Sequence, residues 1–187
     1  WLQYNWRTIL AEERIANPAI PLLTACSCVR DEVKEALHQT AIDEQFHTYF
    51  HRLALKEAEA RAPRRCPYVK SVTVRELDLA LSQESEPWKR ELIQIAYAAV
   101  AEVSVNAFLE ILSKSAEIRE SNRALVDKHN RDEHFHSFIF VEAVKDLIAG
   151  DPPRSAAYLR LQIAEARDSF LKHDYSMYES VFGAHGI

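Results

Sequence analysis

The stretches that decide the fold of this chain are Asp43-Glu-Gln-Phe-His47 and His129-Asn-Arg-Asp-Glu-His-Phe-His136. Each contains a Glu-x-x-His pattern, which puts a carboxylate and an imidazole one turn apart on the same face of a helix. In both stretches that face continues on either side into apolar residues at alternating steps of three and four, as in a helix face that packs into a core. The sequence therefore predicts two long helices that carry ionisable side chains into the middle of a hydrophobic core.

The rest of the sequence also favours helices. Hydrophobic residues make up 48% of the 187 positions and only three residues are glycine, whereas β-rich folds need glycine for their turns. Helices are predicted at residues 2–16, 19–28, 30–61, 74–82, 87–113, 117–149 and 154–180. The expected fold class is all-α: a ferritin-like four-helix bundle core with additional flanking helices, in one domain over residues 1–187. Because the chain begins at Trp1 rather than at a methionine, its N-terminus is expected to be truncated.

The ionisable residues on the core faces need positive charge beside them. Burying a carboxylate without a partner is costly, and no lysine or arginine lies on these faces. Two metal ions would supply the charge, and the order Glu, Glu-x-x-His, Glu, Glu-x-x-His along four helices is that of di-iron carboxylate bundles. The pattern predicts these metal ligands: Glu44, His47, Glu102, Glu133 and His136.

The first glutamate of the order has two candidates. Glu13 continues the apolar stripe of the first predicted helix and is preferred on register. Glu12 stands beside it and is the alternative, because Pro18 is able to distort the helix. Two further histidines are assigned other roles. His51 lies on a ligand stripe and is expected to hydrogen-bond to a ligand rather than to bind metal, and His134 is expected to be exposed.

A family resemblance enters at the second stretch. Residues 129–136 resemble the extra-histidine motif of the p-aminobenzoate N-oxygenase family, in which a histidine stands four residues before the second glutamate. Residues 43–47 resemble the first Glu-x-x-His of that family, and Glu102 matches its lone glutamate in spacing. The segment Glu-Arg-Ile-Ala-Asn-Pro18 resembles the part of the family that carries the first ligand. The resemblance covers residues 6 to 170.

The resemblance implies a site of four glutamates and three histidines, in which His129 is both a metal ligand and a residue that directs catalysis. It implies a cofactor of two iron ions, with manganese as the other metal that such ligands suit, and O2 as co-substrate. The implied reaction is oxidation of an amine nitrogen towards hydroxylamine and nitro products. The alternative is another di-iron oxidase, acting on C–H bonds or by oxidative decarboxylation; iron storage, a radical-generating subunit and a metal-free protein are the remaining classes.

Composition and charge limit the partners. The expected partners are a small-molecule amine, an electron donor and a second copy of the chain in a homodimer. A net charge of -5 argues against nucleic acid, and no stretch is expected to be long and apolar enough to span a membrane. The cysteines, Cys26, Cys28 and Cys66, are expected to be reduced in a cytoplasmic protein.

Overall fold

The computed structural model describes residues 1–62, 67–150 and 152–186. Over these residues the chain forms eight α-helices and one π-helical segment, and no strand. The predicted all-α class is therefore confirmed. The elements are α1 (Leu2–Ala11), the π segment (Glu12–Ala16), α2 (Asn17–Ala25), α3 (Asp31–Arg61), α4 (Val72–Gln83), α5 (Pro87–Lys114), α6 (Glu120–Gly150), α7 (Pro153–Phe170) and α8 (Ser176–His185).

The predicted helices at residues 30–61, 87–113 and 117–149 agree with α3, α5 and α6 to within about three residues, but the last predicted helix is wrong. Residues 154–180 form two helices, α7 and α8, with a break at residues 171–175. Asp174 in this break accepts hydrogen bonds from the backbone N–H groups of Val72 and Ser176 and pairs with Arg7. These contacts attach the turn between α7 and α8 to α1 and α4.

The predicted break between the helices at residues 2–16 and 19–28 is also wrong, because the chain continues without a break from the π segment into α2. Proline has no N–H group, so Pro18 leaves the carbonyl of Arg14 without its helical donor. The side-chain amide of Gln94 on α5 donates to that carbonyl at 3.0 Å and to the carbonyl of Ile15 at 2.8 Å. A contact between helices thus replaces the bond that the proline removes.

The bundle is centred on α5, which packs against α6 and α7, while α3 packs against α1, α2 and α6. Within the described ranges α5 is the one helix long and apolar enough to cross a membrane, so the expectation that no such stretch exists is wrong. However, 61% of its apolar window is buried inside the protein. This is the burial of a core helix.

The link between α2 and α3 contains a disulfide. Cys26 and Cys28 are bonded to each other, with their Cα atoms 5.5 Å apart, so the expectation of reduced cysteines is wrong for this pair. Cys66 lies outside the described residues. The link is attached to α6 by Arg30, which pairs with Asp146 on that helix.

Candidate metal centre

Four glutamates and three histidines meet in the middle of the bundle. All seven side chains are buried, with at most 6% of any of these residues exposed. They come from the π segment, α3, α5 and α6, so no single helix makes the cluster. The residues are Glu12, Glu44, His47, Glu102, His129, Glu133 and His136.

The structure places Glu12, and not the preferred Glu13, in this cluster. Glu12 is 6% exposed, and its Oε1 lies 3.3 Å from Nε2 of His129. The side chain of Glu13 is 41% exposed and pairs with Arg52 on the outside of α3. The π segment begins at Glu12 and has a wider turn than an α-helix, which rotates the following residues away from the α-helical register. The preference for Glu13 is therefore wrong in its geometry.

The donor atoms gather into overlapping groups in which all atoms lie within 4.8 Å of one another. Two four-residue groups share His47 and Glu133, and Glu133 lies between the three imidazoles. Its Oε1 is 2.9 Å from Nε2 of His129, 3.3 Å from Nδ1 of His47 and 3.5 Å from Nδ1 of His136. The groups are Glu12, His47, His129 and Glu133; Glu44, His47, Glu133 and His136; and Glu12, Glu44 and Glu102.

Several of these donor atoms have no hydrogen-bond partner among the described residues. They are both carboxylate oxygens of Glu44, Oε2 of Glu102 and of Glu133, and Nδ1 of His47 and of His136. Buried polar atoms are seldom left without partners in folded proteins. Carboxylate oxygens and imidazole nitrogens that converge in this way are the ligands that iron and manganese accept. The residues present therefore fit a pair of metal ions.

The pKa of each ionisable group in the cluster depends on burial and on the neighbouring groups. Burial raises the pKa of Glu12 and of Glu102 well above the ordinary value. Burial alone would raise the pKa of Glu44, but the neighbouring carboxyl of Glu12 and the imidazoles of His136 and His47 lower it to about 2. Burial lowers the pKa of His47 and of His136, but the carboxylates of Glu133 and Glu44 raise both to about 10. Without metal, the imidazoles thus retain protons that a metal ion would displace.

Two aspartates that the sequence reasoning missed contact the outer nitrogens of these histidines. Nε2 of His47 is 3.1 Å from Asp132, and Nε2 of His136 is 3.4 Å from Asp43. Such carboxylate–histidine contacts orient metal ligands in many metalloproteins. The sequence carried a signal for them, because an aspartate directly precedes the glutamate of each Glu-x-x-His pattern.

His51 makes the expected contact with a histidine of the cluster. Its Nε2 lies 3.0 Å from Nδ1 of His129, and its Nδ1 lies 2.8 Å from Oδ1 of Asn5 on α1. Burial, together with the neighbouring imidazoles of His129 and His47, lowers the pKa of His51 to about 2. His134 is exposed, as expected. Asn5 was not singled out from the sequence, where an isolated asparagine gives no signal.

A cavity of about 1560 Å³ reaches the cluster at Glu12, which is part of the cavity lining. Its apolar lining includes the aromatic rings of Tyr4, Phe50 and Phe108. Cationic side chains also lie along it, among them Arg119 and Lys128. A cavity with an apolar lining and a few polar groups is typical of a small-molecule site.

Comparisons with known proteins agree with this geometry. The family model for p-aminobenzoate N-oxygenase AurF matches residues 1–184. A 4-aminobenzoate N-oxygenase of Streptomyces thioluteus is 31% identical over 192 aligned positions, which cover 100% of this chain and 57% of that protein. The chain thus spans little more than half the length of this relative.

Proposed function

The chain belongs to the p-aminobenzoate N-oxygenase AurF family, and we propose that it is an O2-dependent di-iron oxygenase that oxidises an amine nitrogen towards hydroxylamine and nitro products. One observation carries the proposal: His129 lies inside the cluster, with its Nε2 2.9 Å from Glu133 and 3.3 Å from Glu12. Ordinary di-iron carboxylate bundles have four glutamates and two histidines. The third imidazole distinguishes this cluster from those of ordinary di-iron carboxylate bundles.

The proposed ligands are the seven residues of the cluster: Glu12, Glu44, His47, Glu102, His129, Glu133 and His136. Iron is the proposed metal, and manganese suits the same donors. Bound iron would supply the electrons and the Lewis acidity that O2 activation needs. Glu133 would hold the metal together with all three imidazoles, because its Oε1 lies within 3.5 Å of each of them.

We propose that the substrate is a small aromatic amine with a carboxylate, similar to the aminobenzoate in the relative's name. The aromatic ring would lie against Tyr4, Phe50 and Phe108 in the cavity, with the amine directed to Glu12. Arg119 and Lys128 are the proposed partners of the substrate carboxylate, since both line the cavity. Arg160 and Arg167 are exposed on α7 and lie outside the cavity lining, so they are not proposed for this role.

The residues of the chain contribute the shape and the apolar character of the substrate site. With substrate bound, the apolar part of the cavity wall would limit the access of water to the cluster at Glu12. Oxidation of an amine to a hydroxylamine by O2 takes up two electrons and two protons and releases one water. An external electron donor is therefore part of the proposal.

The proposal is tested by supplying 4-aminobenzoate, a chemical reductant and ¹⁸O2 to the iron-loaded protein and analysing the products by mass spectrometry. We expect hydroxylamino and nitro products that contain ¹⁸O, and none from a Glu44→Ala variant, which lacks a ligand. The same assay with 4-methylbenzoate tests the alternative, oxidation of a C–H bond. Hydroxylation of the methyl group without oxidation of the amine would favour that alternative over the proposal.

Two further features are proposed with the enzyme activity. A homodimer is proposed, and sedimentation of the purified chain measures it. A cytoplasmic location is also proposed, and the redox state of Cys26 and Cys28 in the cell tests it, because stable disulfides are rare in the cytoplasm.

A further inference from the structure

Three buried side chains from three helices form a continuous hydrogen-bonded chain that ends at the metal centre. Asn5 on α1 and His51 on α3 are fully buried, and His129 on α6 is 2% exposed. Oδ1 of Asn5 lies 2.8 Å from Nδ1 of His51, and Nε2 of His51 lies 3.0 Å from Nδ1 of His129. Beyond these contacts, Nε2 of His129 faces the carboxylates of Glu133 and Glu12.

The direction of these hydrogen bonds follows from the first residue. The amide nitrogen of Asn5 donates to the backbone carbonyl of Trp1 at 2.9 Å, so the amide oxygen faces His51. An amide oxygen only accepts, hence Nδ1 of His51 carries the hydrogen. A neutral imidazole has one N–H group, and therefore Nε2 of His51 is an acceptor. It accepts from Nδ1–H of His129, which leaves the lone pair of His129 on Nε2, towards the carboxylates.

We propose that Asn5 and His51 are positioning residues that fix the tautomer of His129 and so commit its Nε2 as a metal donor. The inference rests on the proposed metal centre, in which His129 is a ligand. It does not depend on amine oxidation. The contacts that join Asn5, His51 and His129 are buried. The chemistry of each atom sets its role as donor or acceptor.

The three histidines of the cluster are held in two different ways. His47 and His136 present Nδ1 to the cluster and have an aspartate at Nε2, whereas His129 presents Nε2 and has a neutral imidazole at Nδ1. A carboxylate partner raises the basicity of a ligating imidazole, and a neutral acceptor does so less. His129 is therefore the weaker donor of the three. We expect its bond to the metal to be the most sensitive to loss of its outer partner.

The test uses zinc, which is diamagnetic and redox-inert. In the zinc-loaded protein with ¹⁵N-labelled histidine rings, NMR should show His129 bound through Nε2 and protonated at Nδ1, and His51 protonated at Nδ1. The His51→Leu variant, which has no acceptor, should bind one of the two zinc ions about 10–100-fold more weakly. The His51→Gln variant places an amide oxygen where Nε2 was and should stay within about 3-fold of the parent protein.

The control is Gln162→Leu, which also replaces a buried polar residue by leucine but lies on α7, a helix without ligands. It should lower stability without changing zinc affinity. Protonation of His129 at Nε2 in the zinc-loaded protein would overturn the inference, as would equal zinc affinities of the leucine and glutamine variants of His51. If His51→Leu fails to fold, the ring spectra of the parent and glutamine proteins still decide. Failure of amine oxidation alone would affect only the proposed function.

Discussion

Nε2 of His47 on α3 lies 3.1 Å from Oδ2 of Asp132 on α6. The relation is reciprocal, since Nε2 of His136 on α6 lies 3.4 Å from Oδ2 of Asp43 on α3. Each aspartate directly precedes the glutamate of the opposite Glu-x-x-His pattern. The two helices therefore orient each other's histidines, and the contact that joins them also turns Nδ1 of each imidazole to the cluster.

The Asp132→Ala substitution should weaken metal binding about 10-fold or more, because His47 loses the partner that orients it. Stability should change little, since the Asp132 side chain is 48% exposed. Titration of the metal-free protein with Co²⁺, followed by its absorption spectrum, measures the effect. Asp127→Ala is the matched control, because Asp127 also lies on α6 but pairs only with Arg131 among the described residues. Equal affinities of the two variants would contradict the orienting role.

Alanine substitution of two neighbouring glutamates should give opposite results. Glu12→Ala removes a carboxylate from the cluster, so we expect less than two bound iron ions per chain. Glu13→Ala removes only an exposed pair with Arg52 and should leave the iron content unchanged, since exposed ion pairs contribute little. Iron quantification after reconstitution and desalting checks both. If Glu13→Ala loses iron and Glu12→Ala does not, then this segment is α-helical rather than π-helical in solution and Glu13 faces the cluster.

The Gln94→Leu substitution should destabilise the protein by about 1–3 kcal/mol, because the buried carbonyl of Ile15 and the partly buried carbonyl of Arg14 lose their donor. Urea unfolding followed by circular dichroism measures this change. Gln83→Leu, at an exposed position at the end of α4, is the control and should stay within about 0.5 kcal/mol of the parent. If Gln94→Leu leaves the free energy of unfolding unchanged, water replaces the amide as the hydrogen-bond donor to these carbonyls.

Removal of metal should lower the melting temperature more at pH 9 than at pH 6. In the metal-free protein the pKa of His47 and of His136 is raised from 6.5 to about 10. A raised folded-state pKa gives stability that is complete below pH 6.5 and is lost as the pH rises through 10. The raised pKa values of Glu12 and Glu102 act in the same direction. Bound metal needs these groups deprotonated, so its stabilisation grows with pH.

The measurement is thermal unfolding with and without a chelator at the two pH values. We expect the loss on chelation to be at least about 2–4 °C larger at pH 9, which corresponds to roughly 1 kcal/mol. His38→Gln, a substitution at an exposed histidine, should not alter the difference. A loss that is equal at both pH values would show that the imidazoles do not bind the metal.

Several features were predictable from local pattern. The steps of three and four along α3, α5 and α6 identified the core faces, and six of the seven clustered residues lie on them. The role of His51 also followed, because it continues a ligand stripe by one turn. Register within one regular helix is a property of the sequence alone, which is why these residues were found.

The sequence by itself determined the all-α class, the long helices and the order of ionisable residues along them, because helical periodicity depends on residues three and four apart. Only the tertiary structure decided that Glu12 faces the cluster, since the path through the π segment and Pro18 depends on Gln94, about eighty residues away. It also decided that Asn5, His51 and His129 form one hydrogen-bonded chain. Such contacts join helices distant in sequence, and no local period encodes them.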